Sequence, residues 1–450
     1  MKRSLYWVTK DLRINDNTAL NIASKSDLLI CVFVVDKKWF EPNHYQSKSL
    51  GGNRWHFLQS CLSDFNERLL TFGQQLYIVY GDTFSTLGNL CEKYRITDVI
   101  TTHLPGTYEN NIITQFSDSF PQVTVNKVEQ FTLFTKTLLP FELQQLPVSY
   151  SKFRKIMTDV AIPKLAPTVQ NLPSQFKSMP SPTIFRPQWL PPILYKKVKQ
   201  GFNFDGGEHD GLKHLNQYFS SNLPTTYKEV RNNLDGWDNS SKLSPWLGSG
   251  CISPRQVMNA IVGFEDKQGK NSSTECLFLE ILWREYFQWL HFKVGKKMYQ
   301  FKGLSEHLPL TTFYPERFNK WCTGNTPYPL VKACMNELRQ TGYLSNRGRQ
   351  IVASCLVNEL SVDWRYGAAW FEEQLIDYDA AVNWGNWQYI AGVGADPKGG
   401  RHFNIQKQTA LYDLNGHYQS KWLDKTDQAS QPLDSVDASD WPVPMISSND

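Results

Sequence analysis

The sequence predicts a two-part chain: an N-terminal α/β domain built on a doubly wound parallel sheet, then an all-α C-terminal domain, joined by a long proline-rich connector. Three observations carry this reading. Short apolar runs alternate with helical patterns over residues 1–130. Ten of the 24 prolines fall between Pro140 and Pro192. From about residue 206 to 425 the periodicity is helical, with no strand pattern to interrupt it.

Leu5–Val8, Leu28–Val35, Leu76–Tyr80, Val99–Thr102 and Val123–Val125 are apolar on both faces, as strands sandwiched between helix layers must be. Thr18–Lys25, Arg54–Phe72, Phe84–Tyr94 and Glu109–Phe120 supply the intervening helices. Ligands of such sheets bind beyond the carboxyl ends of strands. Here those ends carry the turns Lys10–Arg13, Gly81–Asp82 and His103–Glu109. Residues 131–205 form the connector. Proline at this density forbids long helices and central strands, while persisting apolar residues predict a segment wrapped over the surface. Beyond it, Glu208–Ser220, Thr274–Lys293, Leu330–Thr341 and Arg349–Leu360 read as helices. Thr274–Lys293 is apolar or aromatic on nearly every side, the mark of a buried helix. Residues 426–450 hold no Lys or Arg and predict a flexible acidic tail.

Several function classes fall away. None of the eight cysteines forms a C-x-x-C pair, so zinc and iron–sulfur ligation are disfavoured and no metal is expected. The start lacks a signal-peptide core, and the longest apolar run, Leu28–Val35, is too short to span a bilayer; a cytoplasmic, membrane-free monomer is expected. The nearest approach to a dinucleotide fingerprint, Gly392-Val-Gly394 to Gly399, follows no strand and contains Pro397, so it reads as a turn and speaks against a nicotinamide enzyme. A formal charge of +4 permits a nucleic-acid partner without demanding one.

Four stretches carry chemistry. Trp364–Tyr389 holds tryptophans 364, 370, 384 and 387, with Trp321 upstream, beside Asp377, Asp379 and Asn383. Aliphatic side chains dominate ordinary cores, and a buried indole needs a partner for its N–H. The stretch is therefore either an aromatic core or an electron-rich wall around a planar redox cofactor. Ser240, Ser241, Leu243 and Ser244 precede a helix, which suits either a phosphate or a plain cap. Glu280 and Arg284 stand four apart on the buried helix, either as a simple ion pair or as charges with a task; Trp283 adds a stacking surface. Arg347 and Arg349, after Asn346, oppose a helix dipole, which predicts an anionic partner or plain solvation.

Taken in order, KDLRINDNTAL (10–20), SSKLSPWLGSGCISPR (240–255), LEILWREYF (279–287), NRGRQIVASCLVNELSVDWR (346–365), DYDAAVNWGNWQY (377–389) and GVGADPKGGRHFNIQKQ (392–408) resemble the cryptochrome/photolyase family, and within it the DASH-type cryptochromes. The resemblance covers nearly all of residues 1–422. It implies that the helical domain binds FAD. Tyr227, Ser240, Ser241, Leu243 and Ser244 would hold the phosphates; Glu280, Arg284, Asn346, Asp377, Asp379 and Asn383 would line the ring systems. Asn383 takes the position facing flavin N5, where a neutral amide forces no proton onto the ring. Trp387, Trp364 and Trp321 resemble the relay that passes an electron from the surface to the excited flavin. Glu280, Trp283, Asn346, Gln350 and Tyr389 would form a cavity for an extruded cyclobutane pyrimidine dimer, with Arg231, Arg347 and Arg349 near phosphates.

The family's antenna, 5,10-methenyltetrahydrofolate, is implied at Asp11, Leu12, Arg13 and Glu109, with Cys61 and Tyr378 as neighbours. Two departures stand out: Val8-Thr9 replaces the usual Phe-Arg, and Lys332 stands where Asp is common. The expected activity is blue-light repair of cyclobutane dimers, preferentially in single-stranded DNA, with RNA as a further partner. The alternatives are a signalling photoreceptor using the same cofactor, or a redox flavoprotein without nucleic acid.

Overall fold

A computed structural model describes residues 1–176, 204–395 and 400–423. The rest of the connector, most of the turn before Gly399 and the acidic tail lie outside the described residues.

Five strands form one parallel sheet: β1 (Arg3–Trp7), β2 (Leu28–Asp36), β3 (Leu76–Gly81), β4 (Asp98–Thr102) and β5 (Thr124–Val128), in the order β3-β2-β1-β4-β5. In register, Leu5 pairs with Ile30 on one side and Val99 on the other. Helices α1 (Thr18–Ala23), α2 (Gly52–Leu70), α3 (Thr83–Tyr94) and α4 (Thr107–Ser119) make the crossovers. Alternation along the strands serves two cores. Leu5, Trp7, Ile30 and Val32 pack with Leu87, Cys91, Ile113 and Phe116 of α3 and α4. Tyr6, Cys31, Phe33 and Val35 face the other way, into a core that includes Trp55 and Phe65 of α2 and continues into the helical half. That is why β1 and β2 read as apolar along nearly their whole length, whereas the edge strand β5, TVNKV, buries only Val128.

The connector contributes α5 (Tyr150–Met157), which occupies the proline-free gap between Pro147 and Pro163. The helical half follows: α6 (Glu208–Phe219), α7 (Tyr227–Val230), α8 (Ser244–Ser249), α9 (Pro254–Gln268), α10 (Ser272–Val294), α11 (Pro315–Thr323), α12 (Pro329–Thr341), α13 (Asn346–Ser354), α14 (Trp364–Gln374), α15 (Ala380–Ala391), α16 (Ile405–Tyr412) and α17 (His417–Trp422). Local chemistry sets the starts. Proline at the first turn opens α9, α11 and α12, where its missing N–H costs nothing. Asn271 caps α10 through a reciprocal capping box. α10 is the central helix, packed against α5, α7, α9 and α15. α13 runs on into a π-helical turn, Cys355–Glu359.

The halves meet at the carboxyl end of β1, where the strand order reverses. Gly250 is left-handed there, φ +75°, and a Cβ on it would lie 1.8 Å from the Lys10 carbonyl oxygen; only glycine lets the backbones approach so closely. Arg13 Nη1 donates to Gly250 O at 2.9 Å, Arg255 pairs with Asp16 at 2.9 Å, and Glu208 accepts from the backbone N–H of Ile14 and Asn15.

Candidate functional site

Glu280, Arg284, Gln288 and His291 share one stripe of α10. Glu280 does not pair with Arg284. Its carboxylate binds Arg231, just past α7. Arg284 instead donates to Phe131 O at 3.0 Å, lies over the Phe131 ring at 4.3 Å, and approaches Asp379 at 3.6 Å. Each charge on the buried helix thus takes a partner from another element. Burial holds the Glu280 carboxyl above its ordinary pKa, with Arg231 opposing. Asp379 does two jobs. Its Oδ1 caps α15 by accepting from Ala381 and Val382 N–H, and its Oδ2 accepts from Gln288 Nε2 at 2.6 Å. That ties the start of α15 to α10 and places Asn383 one turn on, where its amide donates to Ala368 O at 3.0 Å.

On α13, Arg349 donates to Asp377 Oδ2 at 2.8 Å and to Leu344 O. The anion expected at this helix start is thus, for Arg349, the protein's own Asp377 rather than a nucleic-acid phosphate. Arg347 donates to Asn232 Oδ1 and lies over the Tyr412 ring at 4.8 Å. Gln350 is half-buried and Asn346 exposed.

These groups suit a flavin dinucleotide. Asp377 Oδ1, Arg284 Nη2 and Gln350 Oε1 are buried and, among the described residues, have no hydrogen-bond partner. Buried polar atoms in native proteins are normally satisfied, so these call for a ligand or water. Half-buried Ser240, Ser241 and Ser244, beside buried Tyr227 and Leu243, offer hydroxyls of the kind a diphosphate takes.

Trp283 stacks on Tyr150 at 3.6 Å, with 14° between planes, and meets Tyr389 edge-on at 6.2 Å. Sequence reasoning missed Tyr150. Its signal was Tyr150, Phe153 and Met157 at helical spacing inside the proline-free gap, a short amphipathic helix.

The expected relay needs correction. Trp387, Trp364 and Trp321 do not form a single file ending at the surface: all three are buried, Trp364 and Trp321 completely. Trp387 meets Trp321 at 6.1 Å, whereas Trp364 meets Trp384 at 5.8 Å. The reason lies at Gly367, one turn beyond Trp364. A Cβ there would lie 2.2 Å from Trp387, so the indole fills the space a side chain would take on α14.

The antenna reading changes too. Asp11, Leu12 and Arg13 are at most 1% exposed. Asp11 accepts from Tyr6 Oη, Thr9 N, Thr102 Oγ1 and Gln130 Nε2, and Arg13 is spent on backbone carbonyls of Asp16, Gln130 and Gly250. The three fill the sheet's switch point, and Arg13 ties it to Gly250 of the helical half, instead of lining a ligand pocket. Cys61 is buried in α2 against Cys251, not at a cavity wall. Glu109 differs. It is partly exposed, as are Lys10, Arg54 and Glu372 around it. Burial, with Arg54 adding, lowers the Lys10 pKa to about 8, against Asp379 and Glu109. Lys10 Nζ donates to Tyr378 O at 3.1 Å. Lys332 lies in the first turn of α12 beside Gly324.

Two family models match the chain: DNA photolyase over residues 4–173, and the FAD binding domain of DNA photolyase over residues 277–439. The chain belongs to the cryptochrome/photolyase family. Within it, its relatives are DASH cryptochromes. Cryptochrome DASH of Idiomarina loihiensis is 44% identical, covering 98% of this chain and 96% of the relative. That of Vibrio parahaemolyticus is 41% identical over 98% and 97%. The Synechocystis sp. cryptochrome structure superposes with a TM-score of 0.90 at 33% identity, covering 99% of this chain and 96% of its own. A class III photolyase from Agrobacterium tumefaciens gives 0.73 at 25% identity, covering 99% and 94%. Among the described residues no helix is long and apolar enough to cross a membrane.

Proposed function

We propose that the protein uses blue light and FAD to repair cyclobutane pyrimidine dimers, preferentially in single-stranded DNA. The observation that carries this is the meeting of Trp283 and Tyr389, with Glu280 one turn before Trp283 on the same helix. Bound FAD supplies the light-excited electron that splits the dimer. The chain's residues hold and orient the rest. Trp283 and Tyr389 offer aromatic surface to the flipped pyrimidine dimer; Glu280, Asn346 and Gln350 offer hydrogen bonds to its edges. A phenol and an amide stack less strongly than larger apolar groups, so this pocket offsets little of the unpairing cost of a duplex. A single strand carries no such cost.

Asp377, Asp379, Arg284 and Asn383 would hold the flavin, Tyr227 and the Ser240–Ser244 loop its phosphates, and Glu109, Lys10 and Arg54, with Tyr378, an antenna folate. The test is light-dependent repair of one thymine dimer in a short oligonucleotide, single-stranded and fully paired. Repair confined to the single strand is expected, weakening as salt rises if Arg231 and Arg347 meet phosphates. Equal repair of both substrates would refute the preference. Intact photoreduction with no repair would instead leave a signalling photoreceptor.

A further inference from the structure

Ser240, Ser241 and Ser244 keep accessible surface, whereas Lys242 among them is only 4% exposed. A lysine in a serine-rich turn is the residue expected to reach for an anion. This one turns inward. Its backbone is left-handed, φ +52°, a conformation that a residue with a β-carbon keeps only when its surroundings hold it there. Its ammonium lies 5.0 Å from the centre of the Tyr343 ring. Tyr343 is buried, and the Arg349 guanidinium lies 5.5 Å from the same ring. Arg349 in turn bonds Asp377. One phenol thus links the serine loop to the Asp377 carboxylate. Other elements fix the parts of this link. Thr341 Oγ1 bonds both the N–H and the C=O of Tyr343 at 3.0 Å, and Ile376 N donates to Gly342 O at 2.9 Å. α17 braces α12: Tyr418 Oη donates to the buried Glu337 carboxyl, and Asn336 Nδ2 donates to Trp422 O at 3.0 Å. Lys421 of α17 pairs with Asp235, ahead of the loop, at 2.8 Å, and His214 Nε2 donates to Ser241 O at 2.8 Å.

We infer that Lys242 is a positioning residue for the cofactor: anchored on Tyr343, it holds the left-handed turn that presents Ser240, Ser241 and Ser244 to the dinucleotide phosphates. This rests on the FAD reading above. The ammonium itself does not meet the phosphates. Over a buried ring it exchanges part of its hydration for the negative face of the phenol, a contact that strengthens as water is excluded. Hydroxyls and backbone N–H groups bind an anion well only when they are already aimed at it, because any freedom left in them must be frozen on binding. The anchor makes that arrangement in advance. Cutting it lets residue 242 relax toward the right-handed backbone, which re-aims the peptide groups on either side. FAD is then held less tightly although no group that would touch it has been changed. The Tyr343 ring also carries Arg349, so losing the ring loosens the serine loop and the Asp377 pair together.

The test titrates FAD into the full chain stripped of cofactor, follows flavin fluorescence, and checks each variant's fold by far-ultraviolet circular dichroism. Lys242→Met keeps the stem and removes the charge; its Kd for FAD should be about tenfold weaker, the effect of a desolvated cation over a ring. Tyr343→Leu should lose at least as much, and Tyr343→Phe, which keeps the ring, should bind as wild type does. In the double variant Lys242→Met with Tyr343→Leu the losses should not add, since both changes cut one contact. A lysine that met a phosphate directly would give additive losses, and the advantage of wild type over Lys242→Met would shrink as salt rises. Either result overturns the inference, as does an unchanged Kd in Lys242→Met. Should Lys242→Met not fold, Tyr343→Leu against Tyr343→Phe decides: a weaker Kd in the leucine variant alone supports the anchor, and equal values overturn it. If the wild-type chain takes up no FAD, the flavoprotein reading fails and the inference with it; tight binding by wild type and variants alike sinks the inference alone.

Discussion

Asp11 offers a sharp test of the hydrogen-bond hub at the sheet's switch point. Its Oδ2 accepts from Tyr6 Oη at 2.6 Å, Thr102 Oγ1 at 2.6 Å and Gln130 Nε2 at 3.0 Å; its Oδ1 accepts from Thr9 N at 2.8 Å. Asp11→Ala removes both acceptor oxygens and with them all four hydrogen bonds. Gln130 keeps its bond to Thr102 Oγ1 at 2.7 Å, so it is not stranded. The Tyr6 and Thr102 hydroxyls and the Thr9 N–H lose their acceptor. A buried donor left unpaired costs about 1–3 kcal/mol, and shared networks add imperfectly, so about 3–6 kcal/mol is expected. Set against a usual stability of about 5–15 kcal/mol, that is a large fraction. Asp11→Asn should cost less, about 1–2 kcal/mol, because the amide oxygen can serve the three donors at Oδ2 and only the Thr9 contact turns donor against donor. Urea unfolding followed by far-ultraviolet circular dichroism measures both variants. Asp11→Ala within about 0.5 kcal/mol of wild type, the range of an ordinary surface change, would refute the hub. Loss of bound-folate absorbance at unchanged stability would make Asp11 a ligand contact instead.

Three further outcomes follow from the same geometry. Gly367→Ala places a Cβ 2.2 Å from Trp387 and 2.5 Å from Leu356, so it should lower the unfolding free energy measured in urea by about 1–3 kcal/mol despite alanine's better helix propensity, and shift tryptophan fluorescence. Arg349→Met leaves Asp377 buried without its cation and should destabilise by about 2–3 kcal/mol, below the full cost of a broken buried pair because the arginine is partly exposed; FAD retention after gel filtration should fall with it. Glu337 is fully buried on α12, and burial raises its pKa to about 8, against a hydrogen bond from Tyr418 and the charges of Lys242 and Lys421, with Asp235 adding. The native state keeps this proton where the unfolded chain has released it. The stability it contributes is therefore complete below the ordinary glutamate pKa and is lost as pH rises through about 8. Glu337→Gln should flatten the fall in melting temperature between about pH 5 and 8; an unchanged slope in calorimetry would remove Glu337 as its source.

Much of this was legible in the chain because it rests on local physics. Strands buried on both faces must be apolar at successive positions, so Leu28–Val35 announced itself, and β2 spans Leu28–Asp36. The cap at Asp379 and the buried sides of Thr274–Lys293 likewise depend on neighbours in sequence. The grouping of Glu280, Trp283, Asp377, Asp379 and Tyr389 came from motif resemblance. What neighbours in sequence could not convey was which partner each group takes. Glu280 and Arg284 have the spacing of an ion pair, yet Arg231 and Asp379 claim them, because helices packed against α10 bring those charges closer in better geometry. Tyr150 lay hidden in a connector defined by its prolines. Asp11, Leu12 and Arg13 matched an antenna motif, but the docking of Gly250 onto Lys10 turned them inward.

Taken alone, the sequence determined the parallel sheet and the helical second half, since periodicity and capping act over a few residues. Only the tertiary structure decided that the three tryptophans are interior, that Trp384 and Tyr45 bridge the halves, and that the turn after β1 is a joint. Those outcomes depend on which surfaces meet across hundreds of residues, and no local pattern encodes them.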